Sequence, residues 1–216
     1  RHAELALCRS YLRLFRERGS LLTLLFHGFF QNEADIGLNH VSPQQRMTVE
    51  HFRQIVDYYL SHGYEAITPD ALLDALDREG KYLLVTFDDG YFSSCQALPV
   101  LKEFSIPAIF FVAINHVREN KCFWWDVVWR ERQRRGVPED AIRRELRALR
   151  TRKNREIERQ LIGEFGRNAL RPLGDIDRPM TWAELKAFVG EKEVFIGNHT
   201  MDHAMLTNYP VAEMEK

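Results

Sequence analysis

Apolar positions along the chain alternate between two rhythms. Near-continuous runs at 21–27 (LLTLLFH), 82–87 (YLLVTF), 108–113 (AIFFVA) and 193–196 (EVFI) read as strands covered on both faces. Between them, apolar residues recur at helical spacing. Val49, Phe52, Ile55, Val56, Tyr59 and Leu60 predict a helix over 46–63 that Gly63 closes. A short strand at 64–68 leads to Thr68-Pro69, an N-cap and first-turn pair opening a helix over 70–80. A helix from 91 to 104 is interrupted near Pro99, and the capping-box sequence TWAE at 181–184 opens another that runs to Gly190. Strand, helix, strand, helix is the order of a parallel α/β architecture, either barrel or open sheet.

Residues 122–180 break this order. The aromatic cluster FWWDVVW at 123–129 precedes a stretch rich in Arg and Glu, with Ile142, Leu146, Leu149, Ile157 and Leu161 at helical spacing. The expectation is a helical insertion with a narrow apolar stripe and no core of its own. Residues 1–20 are expected to form a separate N-terminal helical segment. Trp124, Trp125 and Trp129 suit burial against the sheet or stacking on sugar rings.

Composition narrows the partners. With 216 residues and 45% hydrophobic content the chain can bury a core, and a formal net charge of -1 argues against nucleic acid as a partner. Glutamates offset the arginines of the insertion. No run reaches a membrane span and nothing reads as a signal peptide. Cys8, Cys95 and Cys122 are odd in number and lack a C-x-x-C, so all three are read as structural.

The chemistry-bearing residues gather where the strands end. His27, Asp88, Asp89, His199 and His203 each stand at or just beyond the C-terminal end of a predicted strand, the edge where α/β folds build their sites. His199 and His203 have a spacing that suits two zinc ligands but equally suits a chance surface pair, and Thr200 stands where a metalloprotease would carry its Glu. Asp88 and Asp89, followed by Gly90, read either as a strand-to-helix turn with an N-cap or as one metal ligand beside one free base. His116, just past the strand 108–113, is within reach of the same rim. His51 and His62 are expected to be solvated, as is His2, while His40 falls in a loop.

Together, TFDDGY at 86–91 and HTMDH at 199–203 resemble the first two motifs of the NodB-type polysaccharide deacetylases, carbohydrate esterases that remove N-acetyl and sometimes O-acetyl groups from glycans. The likeness extends over about 21–209. It implies a distorted, incomplete (β/α) barrel occupying 21–216, with the helical insertion at about 122–180. It also implies Asp88 as general base, Asp89, His199 and His203 as ligands of Zn2+ or another divalent metal such as Co2+, and a Thr200 hydroxyl that steadies the loop. The implied activity is removal of N-acetyl groups from an N-acetylglucosamine-containing exopolysaccharide or cell-wall glycan, with release of acetate.

Two departures qualify the likeness. The family's R-x-P-Y, Asp/Trp and L-x-H motifs belong after the second motif, yet 13 residues follow His203. The expectation is therefore a C-terminally truncated piece of a longer protein, with a catalytically inactive glycan-binding or scaffolding domain as the alternative. Circularly permuted members carry the acid His on an early strand in an L-x-Y-H-like context, which LFH at 25–27 resembles, so His27 is the candidate general acid.

Overall fold

A computed structural model of the chain describes residues 19–42 and 46–214. The expected helical segment at 1–20 falls almost wholly outside these residues, as do His2 and Cys8. The first strand is Ser20–Phe26 (β1), followed by a short helix at Glu33–Ile36 (α1) and a longer one at Val49–Ser61 (α2). Thr48 caps α2 in a reciprocal pair with His51: the His51 N–H donates to Thr48 Oγ1 and the Thr48 N–H to His51 Nδ1, each at 3.3 Å. His51 thus holds a helix end while remaining exposed. His62 does the same at the other end, where its Nδ1 meets the Tyr58 carbonyl at 2.7 Å.

The strand expected at 64–68 shortens to Glu65–Ala66 (β2), and the helix expected over 70–80 is a 3-10 turn, Asp70–Leu73. Pro69, not Thr68, stands at the N-cap position, although the Thr68 hydroxyl just ahead of it accepts the Ala71 N–H. The turn stops at Asp74, whose backbone is extended, and Leu73 is 87% exposed. An isolated helix of about 11 residues is marginal without an apolar face packed against a neighbour. Instead Asp77 turns the chain by accepting the Glu79 N–H.

Lys81–Phe87 (β3), Leu98–Phe104 (α3), Ala108–Val112 (β4) and Ile114–Glu119 (α4) continue the alternation. The stretch ahead of α3, Phe92–Ala97, is 3-10, and Pro99 sits in the first turn of α3, where its missing N–H costs nothing. Trp124–Arg134 (α5), Glu139–Leu149 (α6) and Asn154–Phe165 (α7) form the helical segment, and Trp182–Val189 (α8) leads into Val194–Asn198 (β5). A last short helix is Val211–Met214 (α9). Among the described residues no helix is long and apolar enough to cross a membrane.

All strand pairings are parallel, in the order β1-β3-β4-β5, with β2 pairing the start of β3. The register brings the strand ends level: Phe26 lies opposite Phe87, Phe87 opposite Phe110, and Val112 opposite Asn198. Just below this edge the aromatic rings pack in a row. Phe87 stacks on Phe110 at 4.4 Å and 4°, while Phe26, Phe29 and Phe52 surround its other side at 5.5–5.8 Å. His27 and Asp88 directly follow Phe26 and Phe87, so the backbone that carries them is anchored by this packed row. Phe87→Ala is expected to cost about 3–5 kcal/mol of stability, read from the urea midpoint.

The helical segment differs from its expectation. Rather than a narrow stripe without a core, α5, α6 and α7 enclose a cluster in which Phe123, Trp124, Val127, Val128, Trp129, Ile142 and Ile157 are almost wholly buried. The tryptophans of α5 are the filling. Charged partners tie the helices outside this core: Arg132 on α5 bonds Glu145 of α6 at 2.8–2.9 Å and Glu164 of α7. Buried Arg130 donates to Asp177 at 2.8 Å and to the carbonyls of Ala169 and Arg171, fixing the return segment to α5.

Candidate metal centre

At the end of β3 the chain turns sharply. Asp88 still belongs to the sheet, its N–H donating to the Phe26 carbonyl at 2.8 Å, whereas Asp89 and Gly90 both have positive φ, at 78° and 84°. Glycine is required at 90, since a Cβ there would lie 2.8 Å from Val112 Cγ1. An aspartate in the left-handed region is uncommon and persists where its surroundings hold it. Here the Asp89 carbonyl accepts the Ala113 N–H and the Gly90 carbonyl accepts the Met180 N–H. The turn is thus anchored to both β4 and the returning segment, and the Asp89 side chain enters the protein with 1% exposure.

His199 follows β5 directly, its N–H donating to the Val112 carbonyl. The loop beyond it is closed by Thr200, whose hydroxyl accepts the Ala204 N–H at 2.8 Å. Thr200 and His203 both have positive φ, at 59° and 52°. This loop brings the two imidazoles together with ring centroids 4.5 Å apart. Their Nε2 atoms stand 3.5 Å (His199) and 3.1 Å (His203) from Asp89 Oδ1, and the three donor atoms lie within 4.8 Å of one another.

Neither oxygen of Asp89 accepts a hydrogen bond of good geometry. A buried carboxylate without donors is costly unless a cation or a charged partner faces it. Burial alone would raise its pKa, but the facing imidazoles outweigh burial and hold it well below the carboxylate range. His199 is raised in turn by the Asp89 carboxylate, with burial opposing. Two imidazole nitrogens and one carboxylate oxygen are the donor set of a catalytic zinc site with an open position. Ligand atoms 2.0–2.2 Å from a tetrahedral ion stand roughly 3.3–3.6 Å apart, close to the separations from Asp89. The residues present therefore fit a divalent metal of zinc type.

Asp88 and His27 stand beside this triad. Burial lifts the Asp88 carboxyl above its ordinary value and the charge of Asp89 adds to this, while His199 and His27 draw it down. His27, just past β1, carries a buried Nδ1 with no hydrogen-bond partner among the described residues, and its charge lowers the pKa of both aspartates. His116 does not reach the open rim. It is buried, its Nδ1 bonds the Lys121 carbonyl, its ring stacks on Phe123 at 3.9 Å, and burial pushes its pKa down to about 4. Cys95 and Cys122 are pushed up to about 12 by burial, as suits structural thiols.

Several residues that sequence reasoning left without a role surround the centre. Tyr91 Oη donates to Asp126 at 2.6 Å and accepts from Trp125 Nε1 at 3.0 Å. Burial pushes the Asp126 carboxyl up to about 8, opposed by the Tyr91 hydroxyl and the Ser42 N–H that it accepts. Asn115 and Asn154 hold the 201–203 loop. Tyr91 and Asp126 were visible as parts of TFDDGY and FWWD, but their partnership spans 35 positions. No local spacing signals it.

Fold and site together define a parallel α/β protein with a carboxylate–imidazole cluster, fit for a divalent cation, at the C-terminal ends of its strands. Residues 75–216 match the polysaccharide deacetylase family model, and the chain belongs to that family. Among solved structures, BC0361, a polysaccharide deacetylase from Bacillus cereus, aligns with a TM-score of 0.51 at 15% identity over 90% of this chain and 43% of its own. The Bacillus anthracis protein BA0330 gives 0.50 at 15% identity over 91% and 44%. IcaB from Ammonifex degensii is 31% identical over 52% of this chain and 48% of its own, with a TM-score of 0.37. The chain spans less than half the length of each of these three proteins. No curated protein matches the sequence.

Proposed function

We propose that this chain carries the metal centre and the general base of a metal-dependent hydrolase that removes N-acetyl groups from an N-acetylglucosamine-containing polysaccharide and releases acetate. The observation that carries the proposal is the buried Asp89 carboxylate, without hydrogen-bond donors and faced by two imidazoles, beside a second carboxylate that stays outside the triad. Asp89, His199 and His203 would hold the metal, Zn2+, with Co2+ as a substitute. Such an ion supplies Lewis acidity toward a carbonyl oxygen and lowers the pKa of a water toward about 7. Residues 21–216 are read as one deacetylase domain with the helical segment 122–180 inserted.

The protein's own groups account for the proton movements. Asp88 accepts the proton of the water whose oxygen forms the new bond to the acetyl carbon; its burial raises its basicity toward the operating pH. His27, on the neighbouring strand end, delivers a proton to the amide nitrogen as the C–N bond breaks, so that a neutral amine and acetic acid separate, and the acid then ionises to acetate. A base and an acid on adjacent parallel strands flank one point of the rim without belonging to the ligand set.

Acetate release from N-acetylglucosamine oligomers tests this reading. The zinc-loaded chain is expected to release acetate, and removal of the metal by a chelator to stop it until zinc is restored. A chain that binds one zinc yet releases no acetate from any such oligomer would point to glycan binding without hydrolysis.

A further inference from the structure

The Asp89 turn and the 199–203 loop belong to the sheet, yet part of what holds them comes from the helical segment. His203 sits in the left-handed region, which a non-glycine residue keeps where its surroundings hold it. Asn154, the first residue of α7 and almost wholly buried, faces that strained turn. Its Nδ2 donates to the carbonyls of both Asp202 and His203, at 2.5 and 3.0 Å, while its own N–H donates to Tyr209 Oη at 3.2 Å. Both amide hydrogen bonds are therefore committed to the two peptide carbonyls that flank the His203 Cα.

The imidazole itself is walled by aromatic rings. Trp125 meets it at 4.7 Å and 65°, and Phe123 at 5.9 Å and 79°. Trp125 is in turn fixed by stacking on Phe123 at 4.5 Å and by its indole N–H, which donates to Tyr91 Oη. Tyr91 lies two residues after Asp89. One indole thus touches the ring of one candidate ligand and the side chain of the residue two positions after another.

We infer that Trp125 and Asn154 are positioning residues for His203, through which the helical segment sets the affinity of the strand-end site for its cation. This inference rests on the metal-site reading above. A ligand loop held in its binding conformation beforehand need not be ordered when the ion enters, and partners outside the ligand set commonly govern affinity by roughly 10–100-fold.

The test is titration with Co2+ followed by visible absorption, and with Zn2+ by competition against a chromophoric chelator. The full chain is compared with Asn154→Ala, with Trp125→Phe, and with Leu149→Ala as a control buried in the same helical cluster. Folding is checked by circular dichroism and the urea midpoint. Asn154→Ala and Trp125→Phe are expected to stay folded, to bind either ion roughly 10–100-fold more weakly, and to show an altered cobalt absorption band. Leu149→Ala is expected to lower the urea midpoint and leave the metal Kd unchanged. Unchanged Kd in both positioning variants, or an equal loss in Leu149→Ala, would overturn the inference while leaving the metal site standing. A wild-type chain that binds neither ion would overturn the site reading and this inference with it.

Discussion

Asp88→Asn is expected to leave the metal bound and to lower turnover on N-acetylglucosamine oligomers by roughly two to four orders of magnitude, the usual contribution of a positioned general base. Asparagine keeps the shape of the side chain and the backbone bond from the Asp88 N–H to Phe26, so the sheet edge is undisturbed. What disappears is a partly buried carboxylate beside the triad and outside the candidate ligand set. The loss should therefore fall on kcat, with KM little changed, because the group acts on the reacting water rather than on the bound glycan. Metal content measured on the same sample separates the roles. A variant that retains full turnover removes Asp88 as the base, and one that loses its metal shows Asp88 to be a ligand.

Asp89→Asn is expected to abolish metal-dependent stabilisation. A ligand bound only by the folded state at 100 times its Kd adds about 2.7 kcal/mol, so zinc should raise the thermal midpoint of the wild type by several degrees and leave the variant unmoved. Asparagine is a suitable replacement, since it tolerates the left-handed backbone that Asp89 adopts. Without metal the variant is also expected to be less stable than the wild type, because the imidazoles that hold the Asp89 carboxylate below its ordinary range lose their charged partner. A variant that still gains stability from zinc would place the ion elsewhere; a metal-free variant as stable as the metal-free wild type would show that the pairing contributes nothing to the fold.

The strands and the rim were legible because their signals are local. A strand covered on both faces reads as a continuous apolar run, and the residues that break such a run mark the sheet edge: Asp88 after Phe87, His27 after Phe26, His199 after Asn198. The register of parallel strands then brings those edge residues together. The capping box at Thr181 and Glu184 was equally visible, since it depends on positions three apart. The helix over 70–80 misled because its apolar spacing has no packing partner, which periodicity does not report. In the helical segment the opposite happened: each helix offers a narrow stripe, but α5 is buried on nearly every side and three stripes converge. The pairs that frame the candidate metal centre, Tyr91 with Asp126 and Asn154 with the Asp202 and His203 carbonyls, join positions 35 to 49 apart. A single sequence carries no trace of such distances.

The most direct measurement is elemental analysis of the purified full chain beside a variant combining Asp89→Asn, His199→Ala and His203→Ala, each refolded or dialysed with zinc and then freed of loose metal. One metal per wild-type chain and none in the folded variant is the expected result. Equal metal in both, or none in a folded wild type, would contradict the assignment of Asp89, His199 and His203 as the metal centre.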